Sequence, residues 1–531
     1  THAVVSWKTT EFTNGVIEYG DTETFGATVR ETTGQYATLH SLTIPNLKPE
    51  KRYYFKIVAA RQNRTSETSE VGQFTTISAL EDATPPSAPR GIDIALTETP
   101  NQVTVFWVPN TESDLKGYKI YRSELPTTGF TALEAFLAKG NERFTDVGVV
   151  TGKKYYYRVT ATDQGGNESS ASEIVSMVIP GDLTAQVLWT RANSPYILYG
   201  DLTVAAFGKL TIDSGVVVKA GDYDALKRGD PTKIDLRIEG GLVANASGSE
   251  AIVFSSVKPT PRAGDWAGIV IAPNDQEQPL QLVNVEIAYA DRALAINSHE
   301  GTMIGVNIHD CGMGVQASAV ADLALDQFAI KHCTDGLVLT DNMALKVTNS
   351  TVFHCRRGLS SSNNASVEYL QNNFLEYVDF GLKLDEQAGT LRVHNNLFVS
   401  GTGVALQIVD QVVQVTNNTI DSPTGLRIDK GTPIIEKNFI FSTRSVSGEG
   451  LKGIEHLAGD SPLPVFGPND VYGFPQDKDY VGCASSAGSL ASEPYFMKDF
   501  GGGSYDYRLR FPFPDNTDLW GILRDQEPTG I

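Results

Sequence analysis

Six glycines, Gly314, Gly336, Gly358, Gly381, Gly403 and Gly425, recur at steps of 22, 22, 23, 22 and 22 residues. Each opens a segment that alternates apolar and polar positions, from Gly-Val-Gln-Ala at 314 to Gly-Leu-Arg-Ile at 425. Alternation with period two belongs to a β-strand. A strand unit of roughly 22 residues cannot bury its own apolar face, so it stacks on its neighbours as one coil of a solenoid.

The apolar columns agree. Val315, Leu337, Leu359, Leu382, Val404 and Leu426 each follow a glycine, and Ile308, Ile330, Val352, Leu375 and Leu397 lie six places before one. Thr419, Ala317, Ser361 and Ala293 depart from the columns without shifting them. The pattern predicts a right-handed parallel β-helix, all-β, with coils about 4.8 Å apart. At that spacing Asn373, Asn395 and Asn417 are expected to form an amide ladder. Cys311, Cys333 and Cys355 share a second column, as small buried thiols. Neighbouring thiols in it come within bonding reach. Cys483 lies 128 residues beyond Cys355, about six coils or about 30 Å away. At most one bridge can therefore form, and at least two thiols stay free.

Composition narrows the function. The chain has 531 residues and a formal net charge of −20, which repels phosphate backbones and anionic lipids. A nucleic-acid role is therefore not expected. No run of 18 apolar residues is present, so no membrane span is expected. The start carries no charged-then-apolar leader, so a signal peptide is expected to have been removed, to lie upstream, or never to have existed.

Ahead of the repeat lie two shorter β units joined by Thr84-Pro85-Pro86-Ser87-Ala88-Pro89, a stiff linker. The second contains Val103-Thr104-Val105-Phe106-Trp107, Gly117-Tyr118-Lys119-Ile120-Tyr121 and Tyr155-Tyr156-Tyr157-Arg158-Val159. Over residues 85–180 these short alternating strands resemble the fibronectin type III family. The first unit, 1–80, is similar to it through Val4-Val5-Ser6-Trp7, Val16-Ile17-Glu18-Tyr19 and Leu47-Lys48-Pro49-Glu50-Lys51-Arg52-Tyr53, where Tyr53 is expected to bond back to nearby backbone. The resemblance implies an opening strand before Trp7, and none is present. Either the chain belongs to a longer polypeptide, or another copy donates the strand by β-augmentation.

From 181 to 531 the chain resembles secreted bacterial right-handed β-helix proteins. The resemblance begins in Tyr196-Ile197-Leu198-Tyr199-Gly200-Asp201, Gly208-Lys209-Leu210-Thr211-Ile212 and Gly264-Asp265-Trp266-Ala267-Gly268, and ends in Asn469-Asp470-Val471-Tyr472-Gly473 and Tyr505-Asp506-Tyr507-Arg508-Leu509. Gly215 and Gly241 are expected at corners, residues 220–235 as a loop between early coils, and Phe511, Phe513 and Trp520 as a cap. The resemblance implies an extracellular or cell-surface location. Many such proteins are polysaccharide lyases or hydrolases, yet no polygalacturonase motif or clustered lyase arginine set is present, so fold alone transfers no active site.

Two outward features remain. Asp310, His332, His354 and Tyr377 lie four places before the glycines, with Arg356, Arg357, Asp335, Glu376 and Asp379 nearby. An aspartate and two histidines one coil apart suit proton transfer or a metal, although polar residues at exposed turns are also what any solenoid carries. Phe353, Phe374 and Phe398, with Ile420, are expected to face outward, either under a loop or as a platform for sugar rings or another chain. The acidic pairs Asp222/Asp224 and Asp477/Asp479 are compatible with Ca2+, but neither continues into a binding loop, so no metal or cofactor is expected. The expectation is a structural or adhesive rod of about a dozen coils contacting a polysaccharide, an envelope component or copies of itself; the alternative is a polysaccharide lyase or glycoside hydrolase using the Asp310/His332/His354 face.

Overall fold

The computed structural model describes residues 2–509, apart from 33, 63–64, 78–82, 274–277, 298–300, 319–322, 342–343, 363–365, 372–373, 386–390, 401, 443–449, 458–463, 476–477, 486–488, 490–495 and 500–504. Asn373, Asp477 and the expected cap residues Phe511, Phe513 and Trp520 lie outside the described residues. The chain forms two compact units, one of residues 1–87 with 112–116 and 162–169, the other of the remainder.

The first unit is built on β1 (Ala3–Gly20), with β2 (Ala27–Arg30), β3 (Ala37–Ile44), β4 (Arg52–Arg61), β5 (Ser66–Thr68) and β6 (Gly72–Thr75). The long β1 serves three partners: Ala3–Lys8 runs against β3, with a register shift between Lys8 and Thr13, Thr13–Gly20 runs against β4, and Val16–Tyr19 runs against β2. Ile17, Ile44, Leu47 and Tyr53 form the core, with Val5, Trp7 and Phe74 packed on it. The Tyr53 hydroxyl accepts the Lys48 N–H at 3.0 Å, the backbone tie expected from its sequence context.

The second sandwich has β7 (Arg90–Leu96), β8 (Val103–Val108), β9 (Leu115–Ser123), β10 (Thr131–Ala138), β11 (Arg143–Asp146), β12 (Lys154–Asp163) and β13 (Val175–Val178). They form two sheets, β10-β9-β12-β13 and β11-β8-β7. Trp107 packs edge-on against Tyr118 with ring centres 5.1 Å apart. This sandwich is tied to the first coil of the rod: the Trp189 indole donates to the Gly152 carbonyl at 2.7 Å, and Lys154 donates to the Asn193 and Pro195 carbonyls at 3.0 and 2.7 Å. Burial pushes the Lys154 ammonium down to about 8.

From Gly181 to Val481 follow 33 parallel strands in about 11 turns, most strands pairing with the one three further on. Three strands per turn give three faces, and one continuous core runs along the interior from Val178 to Val471. Backbone register fixes the glycine column as Ala293, Gly314, Gly336, Gly358, Gly381, Ala405, Gly425 and Gly453. A Cβ on Gly336 would fall 2.5 Å from the Gly358 carbonyl oxygen, so close coil approach, and not an unusual φ, selects glycine there.

Register corrects three sequence readings. Gly403 is outside the column: Ala405 takes its place, and Leu406 instead of Val404 pairs with Leu382 and Leu426. Gly403 stands in a turn, its N–H and that of Thr402 donating to Ser400 Oγ at 2.9 and 3.2 Å. Likewise Leu375 pairs with Phe398, and Phe398 with Ile420. Phe398 and Ile420 are therefore fully buried core residues, not an outward platform. Of the two glycines expected at corners, Gly215 has φ 72°, whereas Gly241 begins a strand.

The amide ladder lies one residue beyond the expected positions. Asn395 and Asn417 are corner residues with φ 55°. The buried amides are Asn396, Asn418, Asn438 and Asn469. Asn418 Oδ1 accepts both the N–H and the Nδ2 of Asn396, at 2.9 and 3.0 Å. Its Nδ2 donates to the Val393 carbonyl and Asn438 Oδ1, both at 2.9 Å. Asn438 repeats the arrangement on Asn469. Each side chain thus satisfies backbone groups that a sharp inner corner would otherwise leave unpaired.

Cys311, Cys333 and Cys355 are buried and free. The adjoining Cys311 thiol pushes the Cys333 thiol up to about 12, and Cys333 together with burial pushes Cys355 up. Ile308, Ile330 and Val352, three residues before the thiols, pair in register, so the thiols stand in one column. Such thiols are unreactive at neutral pH.

Candidate functional site

A second set of corners carries the chemistry. Tyr289, Asp310, His332 and His354 hold φ 64°, 54°, 53° and 52° on successive coils. Left-handed backbone outside glycine favours short polar and imidazole side chains, so the corner geometry itself selects Asp and His there. Because coils stack, their side chains form a row along the rod.

The structure brings Asp310, His332 and His354 together. His354 Nδ1 lies 3.3 Å from His332 Nε2, and the rings stack with centres 5.4 Å apart. On its other side His332 Nδ1 is 3.5 Å from Asp310 Oδ1. In the tautomer with its proton on Nδ1, His332 faces Asp310 with a donor and offers Nε2 to His354 as an acceptor. Asp310 Oδ2 in turn lies 2.7 Å from His309 Nδ1, and His309 Nε2 lies 3.2 Å from Glu286 Oε1.

His309 and Glu286 escaped the sequence reading. With both ring nitrogens facing carboxylates, the imidazolium form of His309 is favoured. Glu286, and after it Asp310, outweighs burial and raises its pKa, while His309 lowers that of Glu286. The sequence signal was only that His309 precedes a corner aspartate.

Around this row stand Phe353 and the arginines. Phe353 meets His354 and His332 edge-on, with ring centres 5.2 and 6.2 Å apart. Arg356 donates to Asp379 at 2.7 Å while its side chain stays 65% exposed. Arg357 donates to Asp335 at 2.6 Å, so Asp335 is engaged in a tie between coils. Tyr377 does not continue the row: its backbone pairs with Cys355 across a register shift. The side chains of Phe374, Glu376 and Tyr377 lie outside the described residues. No three His, Cys, Asp or Glu side chains among the described residues converge as a metal would need.

Comparison with known proteins adds the family context. Residues 267–420 match the right handed beta helix region family, 181–290 the pectate-lyase like beta helix domain, and 1–76 the purple acid phosphatase N-terminal domain. Similar proteins include Exoglucanase B of Cellulomonas fimi, 32% identical over 118 residues, which are 22% of this chain and 10% of that protein. An exo beta-1,2-glucooligosaccharide sophorohydrolase of Parabacteroides distasonis is 39% identical over 75 residues, 14% of this chain and 10% of that protein. The chain therefore spans about a tenth of the length of these relatives.

Among solved structures, an Fn3-like protein from Clostridium thermocellum is 28% identical, covering 18% of this chain and 97% of that one with a TM-score of 0.16. A periplasmic alginate epimerase is 12% identical, covering 54% of this chain and 84% of that one with a TM-score of 0.39. The family matches and the coils together make this chain a right-handed parallel β-helix repeat protein with a fibronectin type III-like N-terminal region.

Proposed function

We propose that this is an extracellular polysaccharide-directed protein whose rod contacts its polymer along the Asp310/His332/His354 corner, in a structural or adhesive role. One observation carries the reading: Phe353 and two stacked imidazoles form a ring surface beside the exposed Arg356, on coils paired in register through their backbones. Ring faces take up sugar rings, and an exposed guanidinium takes up hydroxyls or carboxylates. The matches to an exoglucanase and a sophorohydrolase support a polysaccharide context.

A second reading, catalysis, is favoured by the Asp310–His332–His354 chain, in which Asp310 orients His332 and His332 polarises His354 as a proton acceptor. One experiment addresses both. Anionic and neutral polysaccharides are screened with the full chain for retention and for release of reducing or unsaturated ends. Retention lost in Phe353→Ala and Arg356→Ala without end release supports the binding rod. End release lost in both His332→Ala and His354→Ala supports the enzyme. Neither retention nor end release from any polymer overturns the proposal.

A further inference from the structure

We propose a separate binding site for a neutral glycan on the loop between Ala220 and Asp235, with the Tyr223 ring as its platform and the adjoining Asp222 carboxylate at its rim. The inference goes beyond the corner site and rests on different residues.

The platform is built. Tyr199 and Tyr223 stack with ring centres 5.1 Å apart and an interplanar angle of 24°. Tyr199 is half-buried against the rod, and Tyr223 lies over it, 52% exposed. Gly221 makes room: a Cβ there would come within 2.5 Å of Tyr199 Cδ1. The loop is pinned on both sides of Tyr223. Gly221 N–H donates to the Leu198 carbonyl at 2.7 Å, and Ala225 N–H to the Tyr199 carbonyl at 2.9 Å. Beyond them Asp201, fully buried, accepts the Arg228 and Asp235 N–H groups at 3.1 and 2.8 Å. Tyr223 thus presents a ring whose rotational freedom is already largely spent before a ligand arrives.

The rim selects the ligand. Asp222, next to Tyr223 in the chain, is exposed beside the ring. A carboxylate beside an exposed ring accepts hydrogen bonds from sugar hydroxyls while the ring stacks on the apolar face of a pyranose. The same carboxylate repels uronates and sulfated sugars. A neutral hexose or pentose polymer is therefore the occupant.

The test uses the full chain in affinity electrophoresis against laminarin, hydroxyethylcellulose and xyloglucan, with polygalacturonate as the anionic counterpart. At least one neutral polymer is expected to retard the protein. Tyr223→Ala should weaken that retardation about fivefold, and Tyr223→Phe should leave it within about twofold, since the ring makes the contact. Tyr223 is exposed, so the alanine variant keeps its fold, as circular dichroism would verify. Retardation by no neutral polymer overturns the site. So does unchanged retardation in Tyr223→Ala, or retardation by polygalacturonate that Tyr223→Ala removes. Loss in Phe353→Ala with Tyr223→Ala unaffected assigns neutral binding to the corner and also overturns this site.

Discussion

Two rows of left-handed corners run along one rod, and they have opposite uses. The row with Gln327, Asn349, Asn395, Asn417 and Lys437 is followed by residues that turn inward, where Asn396, Asn418, Asn438 and Asn469 are buried and fully hydrogen-bonded. The row with Tyr289, Asp310, His332 and His354 is followed by small residues, Cys311, Cys333 and Cys355, and its own side chains stay outside. The backbone problem is the same in both. One row solves it with interior amides and so becomes part of the scaffold; the other solves it with compact buried residues and leaves its polar side chains available to solvent.

The largest effect should come from breaking the scaffold row. Asn418→Ala removes an acceptor for the Asn396 N–H and a donor to two carbonyls inside the rod. Orphaned buried groups of this kind lead to an expected loss of about 4 kcal/mol, read as a lower urea midpoint at unchanged slope. Next comes the register that places both rows. Leu406→Ala should cost about 3 kcal/mol, since Leu406 is fully buried in the core. Val404→Ala, only half-buried, should cost less than about 1 kcal/mol. The reverse ranking would restore Gly403 to the glycine column and undo the corner assignments after it.

Smaller effects belong to the outer row. His354→Ala should change stability by under about 0.5 kcal/mol, as exposed positions do, while polymer retention falls. A pH profile sharpens the contrast, because the buried amides Asn396, Asn418, Asn438 and Asn469 do not titrate. His309, with a raised pKa in the folded chain, stabilises fully below its unfolded value near 6.5 and ceases to do so as pH rises through the folded value. Glu286, with a lowered pKa, stabilises above its ordinary value of 4.5 and loses that contribution as pH falls through the folded value. Their pairing should therefore be strongest between about pH 4.5 and 6.5, and Glu286→Gln should flatten that part of a Tm–pH curve. Smallest of all, Cys333 should resist alkylation at pH 8 in the folded chain and react on denaturation, because its thiol is pushed up to about 12.

Much of this was legible in the sequence. The 22-residue step gave the stacked coils, the thiol column and the Asp310–His332–His354 row, because in-register coils turn a sequence interval into a spatial contact. The reading slipped where two coils in succession took 23 residues, from Val352 to Leu375 and from Leu375 to Phe398. A glycine is a strong landmark, and Gly403 drew the register to itself although it is used in a turn. Ala405 had the correct context, Ala-Leu-Gln-Ile, matching Gly-Leu-Arg-Ile twenty residues on. The same slip displaced the amide ladder by one position and turned Phe398 outward. Glu286 and His309 were hidden for a different reason: they belong to the corner through side-chain reach across a coil, which spacing does not encode.

The division of labour between the two rows is tested most directly by measuring urea unfolding and polymer retention on the same two variants, Asn418→Ala and His354→Ala. The account predicts a large fall in stability for Asn418→Ala, with retention intact under conditions where it is folded, and near-normal stability with lost retention for His354→Ala. Equal losses of both properties in both variants, or the opposite assignment, would contradict it.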